Sequence, residues 1–239
     1  MVAVLLKIRE SGAVGPTESE ASSLLESTGE LTAAYEALSQ DERQLLHLAA
    51  LIGESFSRSS VFDLFNKAGF PFRRKNIYPK GGNEQLQKLV SAGFLRPAGN
   101  QLGCPPALAH EVCERFASQD VYLPLVVEAI NRRYPQHQWG WGQRSSHFRH
   151  MRLSRYRGLP DSFRQHYYVL VNTGQYTQRE LVDYWLPDPL DRQRLENLPE
   201  EIGAFLLAEK LTLQTFELTS PGPYFDYVAE HLAQFPKSA

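Results

Sequence analysis

Apolar and polar positions repeat with a helical period along most of this chain. From Ser39 onward, Leu45, Leu48, Ala49 and Ile52 recur at the spacing of one helix face and predict a buried stripe. Ser39 and Glu42 have the spacing of a capping box, in which a hydroxyl caps the N3 amide and a carboxylate reaches back. Gly53 supplies the stop. A second helix is predicted over 57–68, with Val61, Leu64 and Phe65 inward and Gly69 after it. A third is predicted over 82–92, with Leu86, Leu89 and Val90 inward and Gly93 after it. Phe94 to Leu102 then reads as a strand, a turn and a returning strand. Ala98-Gly99-Asn100 forms the turn, because Gly and Asn tolerate positive φ. Leu48, Leu64, Leu86 and Leu89 are expected to be buried together.

Beyond the hairpin the period stays helical. Helices are predicted over 107–118, 122–134, 145–157, 160–172, 177–185, 189–197, 199–215 and 222–235. Pro135 stops the second of these. Pro160, Pro187, Pro189, Pro199, Pro221 and Pro223 sit between the later ones as openers or breakers. Residues 1–8 leave strand and helix open, and 10–30, rich in Ser, Glu and Gly, read as a solvated linker. Phe70 to Lys80 carries two prolines and the run Arg73-Arg74-Lys75, which predicts an exposed loop.

The order helix, helix, helix, hairpin resembles a winged helix. Gln85 to Leu95 looks like the third helix and first wing strand of such domains. The continuation Leu108-Ala109-His110-Glu111-Val112 is similar to winged helices that follow the nucleotide-binding module of STAND-type signalling ATPases. Similar modules precede helical repeats in some bacterial regulators and helicases. The resemblance implies a winged helix of three helices and a small β-hairpin, in a mainly α protein. Joined to it would be a C-terminal array of helical hairpins, TPR-like in helix length but without that family's repeat signature. The expected domains are an N-terminal segment and linker at 1–31, the winged helix at 32–118 and the helical hairpins at 119–239.

Composition narrows the classes. At 239 residues and 42% apolar the chain has the make-up of a globular protein. No apolar run approaches the ~20 residues that span a bilayer, so no membrane association is expected. Two cysteines, Cys104 and Cys113, do not make a disulfide framework, and a cytoplasmic setting with free thiols is expected. The near-zero net charge of −2 hides blocks of alternating sign. Residues 1–54 carry nine acids against three bases, and 58–88 carry seven bases against two acids. Residues 132–164 carry eight arginines against Asp161, and 196–239 carry seven acids against two lysines. Such blocks pair internally or give one basic face for a polyanion.

Motifs for chemistry are sparse. There is no phosphate-binding Gly-x-x-x-x-Gly-Lys loop. Cys104, His110 and Cys113 lack the Cys-x-x-Cys doublet and a fourth ligand, so no metal is expected. No nucleophile, base and orienting group stand together, so no catalytic residue, cofactor or small-molecule substrate is expected. The basic clusters are the stronger signal. Arg73, Arg74, Lys75 and Lys80 precede the third helix, whose outward positions Asn83, Gln87 and Lys88 suit base edges and phosphate. Arg144, Arg149, Arg152, Arg155 and Arg157 lie in one window whose i, i+3 and i+4 spacing puts several guanidinium groups on one face, interleaved with Trp139, Trp141, His147 and Tyr156.

Two readings follow. In the first, the chain is a non-catalytic binding and regulatory module of a larger nucleic-acid-associated or STAND-like assembly. It then contacts a protein partner or other domains of a longer chain, and its arginines hold the acidic C-terminal block. In the alternative, it binds DNA or RNA directly through Arg73–Lys80, Lys88 and the exposed Arg144–Arg157 face.

Overall fold

A computed structural model describes residues 29–53, 55–72, 79–134, 144–188, 190–217 and 222–231, and the fold is mainly α. The chain divides into two compact units, Met1–Gln138 and Trp139–Ala239.

In the first unit, α1 (29–36) leads into α2 (Gln40–Ile52), the hub of the unit. Ser39 and Glu42 form the capping box, and Gly53, at φ 67°, closes the helix. Ten of the thirteen residues of α2 are buried, because it packs against α3 (Arg58–Ala68), α4 (Pro79–Ser91), α5 (Pro106–Arg115) and α6 (Leu123–Arg133). Leu48, Leu64, Leu86 and Leu89 are all buried. Helix α4 begins at Pro79, three residues before the predicted start. Proline lacks only an N–H that the first turn leaves unbonded anyway. Strands β1 (Arg96–Ala98) and β2 (Gln101–Gly103) pair antiparallel, with Pro97 opposite Leu102. Gly99 turns between them at φ 61°. Phe56 joins this hairpin as a further extended residue, exchanging backbone bonds of 2.8 and 2.9 Å with Leu102.

The expected boundary at 119 falls inside this unit. Helix α6 packs on α3 and α2, burying Val126, Val127, Ala129 and Ile130, so its apolar face belongs to the first core.

The second unit contains α7 (Arg144–Tyr156), α8 (Pro160–Asn172), α9 (Gln178–Trp185), α10 (Arg192–Glu196), α11 (Glu200–Phe216) and α12 (Gly222–His231). Helices α7 and α8 pack along each other, and α11 gathers α8, α9, α10 and α12. Met151, Phe163, Tyr167, Leu170, Trp185, Leu206 and Tyr224 lie in one apolar core. Within it, Lys210 is buried and bonded to Asp183 at 2.7 Å and Asp188 at 2.8 Å. No described helix is long and apolar enough to cross a membrane.

Candidate functional site

The expected polyanion-binding residues fall into three groups. Arg73, Arg74 and Lys75, with the side chains of Lys80 and Arg144, lie outside the described residues. On α4, Asn83, Gln87 and Lys88 are exposed, as expected of outward positions on a helix whose Leu86 and Leu89 face the core. Among the described residues, their charged neighbours are of both signs. Glu84 shares the face, and Arg58 reaches Asn83 Oδ1 at 3.5 Å. Lys88 Nζ lies 3.0 Å from Glu42 Oε2, the carboxylate that also caps α2. Burial pushes the Glu42 carboxyl up, but the Ser39 amide, Lys88 and the Ser39 hydroxyl together outweigh it and hold it below the usual range. Lys88 therefore has work inside the fold.

The third group corrects the sequence reading. Arg149, Arg152 and Arg155 are 4%, 3% and 2% exposed, so they do not form an open basic face. At about 100° per residue, positions 148, 152 and 155 cluster on one side of α7. That side carries the aromatic contacts. The Arg152 guanidinium lies over Phe148 at 5.1 Å and Tyr184 at 5.7 Å. Its Nη2 and Nε donate to Tyr184 Oη at 2.6 and 3.2 Å. Arg155 lies over Tyr156 at 5.1 Å and Trp185 at 5.4 Å. Burial draws Arg149 down to about 10, which still leaves it charged at neutral pH. A guanidinium is weakly hydrated and planar, so stacking replaces much of what water gave it. The sequence signal was the adjacent pair Tyr184-Trp185, whose approach to α7 only the folded chain reveals.

The C-terminal acids meet other arginines. Glu201 lies 3.9 Å from Arg164, Glu230 pairs with Arg192 at 3.0 Å, and Glu217 pairs with Arg179.

One polar network escaped the sequence reading. His47, 0% exposed within the apolar stripe of α2, has Nε2 2.9 Å from Tyr35 Oη and Nδ1 3.2 Å from Asp120 Oδ2. Asp120 also accepts from Gln44 Nε2 at 2.6 Å and from the Tyr122 amide at 2.7 Å. Tyr35 stacks on Phe116, with ring centroids 3.9 Å apart. Burial, then the Asp120 charge, pushes the phenol up to about 12 against the opposing pull of Arg43. Such a phenol stays protonated at neutral pH and donates rather than attacks, so the chain Tyr35–His47–Asp120 clamps α1 to α2 and to the turn before α6. A histidine among leucines was the available signal, since a buried imidazole needs partners.

Cys104 and Cys113 are buried free thiols, and His110 is buried beside them in sequence. Among the described residues, no three of His, Cys, Asp and Glu gather as they would around a metal ion. No known family model, curated protein or solved structure matches this chain.

Proposed function

We propose that this chain is a non-catalytic binding and regulatory module that acts through protein–protein contacts. In this reading α2, α3, α4 and the β1–β2 hairpin are a winged helix used for packing, and the second unit is a helical array that serves as scaffold. Its setting is a larger cytoplasmic assembly of the nucleic-acid-associated or STAND-like kind, with a protein partner or further domains of a longer chain as the contact.

One observation carries the reading. Arg149, Arg152 and Arg155 are buried, with Arg152 and Arg155 against aromatic rings, and phosphate recognition needs guanidinium groups that a polyanion can reach. Among the described residues, the outward positions Asn83, Gln87 and Lys88 have charged neighbours of both signs, Arg58, Glu84 and Glu42. A committed groove reader surrounds its helix with positive charge. The exposure of Asn83 and Gln87 favours the second reading, direct contact of α4 with bases.

Fluorescence anisotropy with labelled duplex DNA across a salt series separates the two. The expected result is binding no tighter than the non-specific range of roughly 10⁻⁴ to 10⁻⁶ M at physiological salt. Gln87→Ala and Lys88→Ala should leave it unchanged. Nanomolar binding that weakens tenfold or more with Gln87→Ala, and whose salt slope shallows by about 1 with Lys88→Ala, overturns the proposal.

A further inference from the structure

Three histidines of the second unit stand together. His147 and His150 are three apart on α7, and His166 faces them from α8. His147 Nδ1 and His166 Nδ1 are 3.1 Å apart. The His166 ring centroid lies 5.3 Å from that of His147 and 5.4 Å from that of His150. His150 and His166 are buried. Nearby, Ser154 donates to Ser162 Oγ at 2.8 Å across the same pair of helices. This is the seam along which α7 and α8 meet.

We propose that the imidazole cluster His147–His150–His166 is an acid-sensitive latch, holding α7 on α8 while its rings are neutral and releasing it when they take up protons.

The chemistry follows from the Nδ1–Nδ1 contact. One imidazole must donate there and the other must accept, so at least one of the two is a neutral ring with a bare nitrogen. When both rings are protonated on both nitrogens, neither Nδ1 can accept, and two cations face each other at 3.1 Å. Among the described residues, the charges that lower His150 are His166, Arg149, His147 and Arg157, all of one sign when protonated. Among the described residues, the carboxylates of α8 and α11 nearest the seam have other partners. Asp161 and Glu201 lie against Arg164, and Glu209 accepts from Tyr167, Tyr168 and Gln178. Tyr184 on α9 serves Arg152. Among the described residues the rings do not converge as metal ligands do, so the proton is the ligand this cluster fits.

Burial, reinforced by the neighbouring cations, draws His150 down to about 3 and His166 to about 4, and burial lowers His147. A histidine depressed in the folded state contributes stability above its unfolded value of 6.5. That stability drains away as pH falls below it, because the unfolded chain then binds protons that the folded one refuses. Each depressed histidine costs about tenfold in the unfolding equilibrium per pH unit below 6.5. His150 and His166 together therefore cost about a thousandfold between pH 7.5 and pH 5.

Urea melts of the whole chain test this, read by tryptophan fluorescence between pH 7.5 and 5. Trp185 is buried in the core of the second unit, so its emission reports on that unit. Hydrogen exchange at pH 7 and pH 5, corrected for intrinsic rates, follows both units. The expected result is an unfolding constant for the second unit about a thousandfold larger at pH 5, with amides of 144–172 deprotected while α2 and α5 hold. His150→Gln should flatten the dependence by about thirtyfold at pH 5. If that variant does not fold, the wild-type profile decides alone. A change under threefold, or equal deprotection of both units, overturns the latch.

Discussion

The ion cluster at Lys210 makes an asymmetric prediction. The Lys210 side chain is 4% exposed, whereas its partners Asp183 and Asp188 are 46% and 65% exposed. The two halves of the cluster therefore pay different desolvation costs. Replacing Lys210 by Met keeps the stem's packing and leaves two carboxylates that already reach water. The loss is the charge-assisted bonds alone, about 1–2 kcal/mol after solvation returns. Replacing both aspartates by Ala leaves a buried ammonium with, among the described residues, the Leu186 carbonyl at 3.4 Å and the Tyr224 ring at 5.0 Å. An uncompensated buried charge costs about 3–5 kcal/mol. Asp183→Ala/Asp188→Ala should therefore destabilise the second unit more than Lys210→Met, by about 2 kcal/mol. Urea melts at pH 7.5 read by tryptophan emission measure both. A Lys210→Met loss equal to or larger than that of the double variant would refute the reasoning, because it would place the buried liability on the acids.

Two further predictions concern residues whose roles the fold reassigns. Leu89, fully buried beneath α2, should cost about 2–5 kcal/mol on truncation to Ala. A loss under half a kcal/mol in far-ultraviolet dichroism melts would show that α4 is not packed as described. Arg152→Lys keeps the charge but loses the two bonds to Tyr184 and the stack on Phe148. It should destabilise the second unit by about 1–3 kcal/mol, whereas an exposed phosphate contact would tolerate the change in stability measurements.

Local signals were legible where local physics decides. The Ser39–Glu42 box, the stop at Gly53 and the turn at Gly99 each follow from a few adjacent residues, and each stands in the fold. The leucine stripe of α2 was equally plain, because a helix with four helical neighbours has little choice about its inward face. Long-range pairing was not legible. Phe56 adds to the hairpin through Leu102, forty-six positions later, and no nearby pattern announces it. The placement of α6 turned on which core its Val126 and Ile130 would join, which periodicity alone leaves open. The candidate site suffered most. A row of arginines at helical spacing reads as a basic face until it is known where Tyr184 and Trp185 land, some thirty residues downstream.

The buried arginines and the buried histidines share α7 but divide it. At about 100° per residue, His147, His150 and Ser154 fall within about 60° of one another, and Phe148, Arg152 and Arg155 fall within about the same arc on an adjoining side. The first side meets α8 and the second meets α9. The two sides answer acid differently. A guanidinium keeps its charge across the whole range from pH 7.5 to 5, so the stack of Arg152 on Phe148 and Tyr184 is indifferent to it. The imidazoles are not. Acid should therefore loosen α7 from α8 while α9 keeps its hold, so that the helix swings on its aromatic side rather than leaving the unit. An acid-opened state of that kind would uncover the α8 face around Ser162 and His166, while Phe163 and Tyr167 stay covered by Trp185 and Phe205. A binding module would thereby expose a new face of α8 without unfolding its first unit.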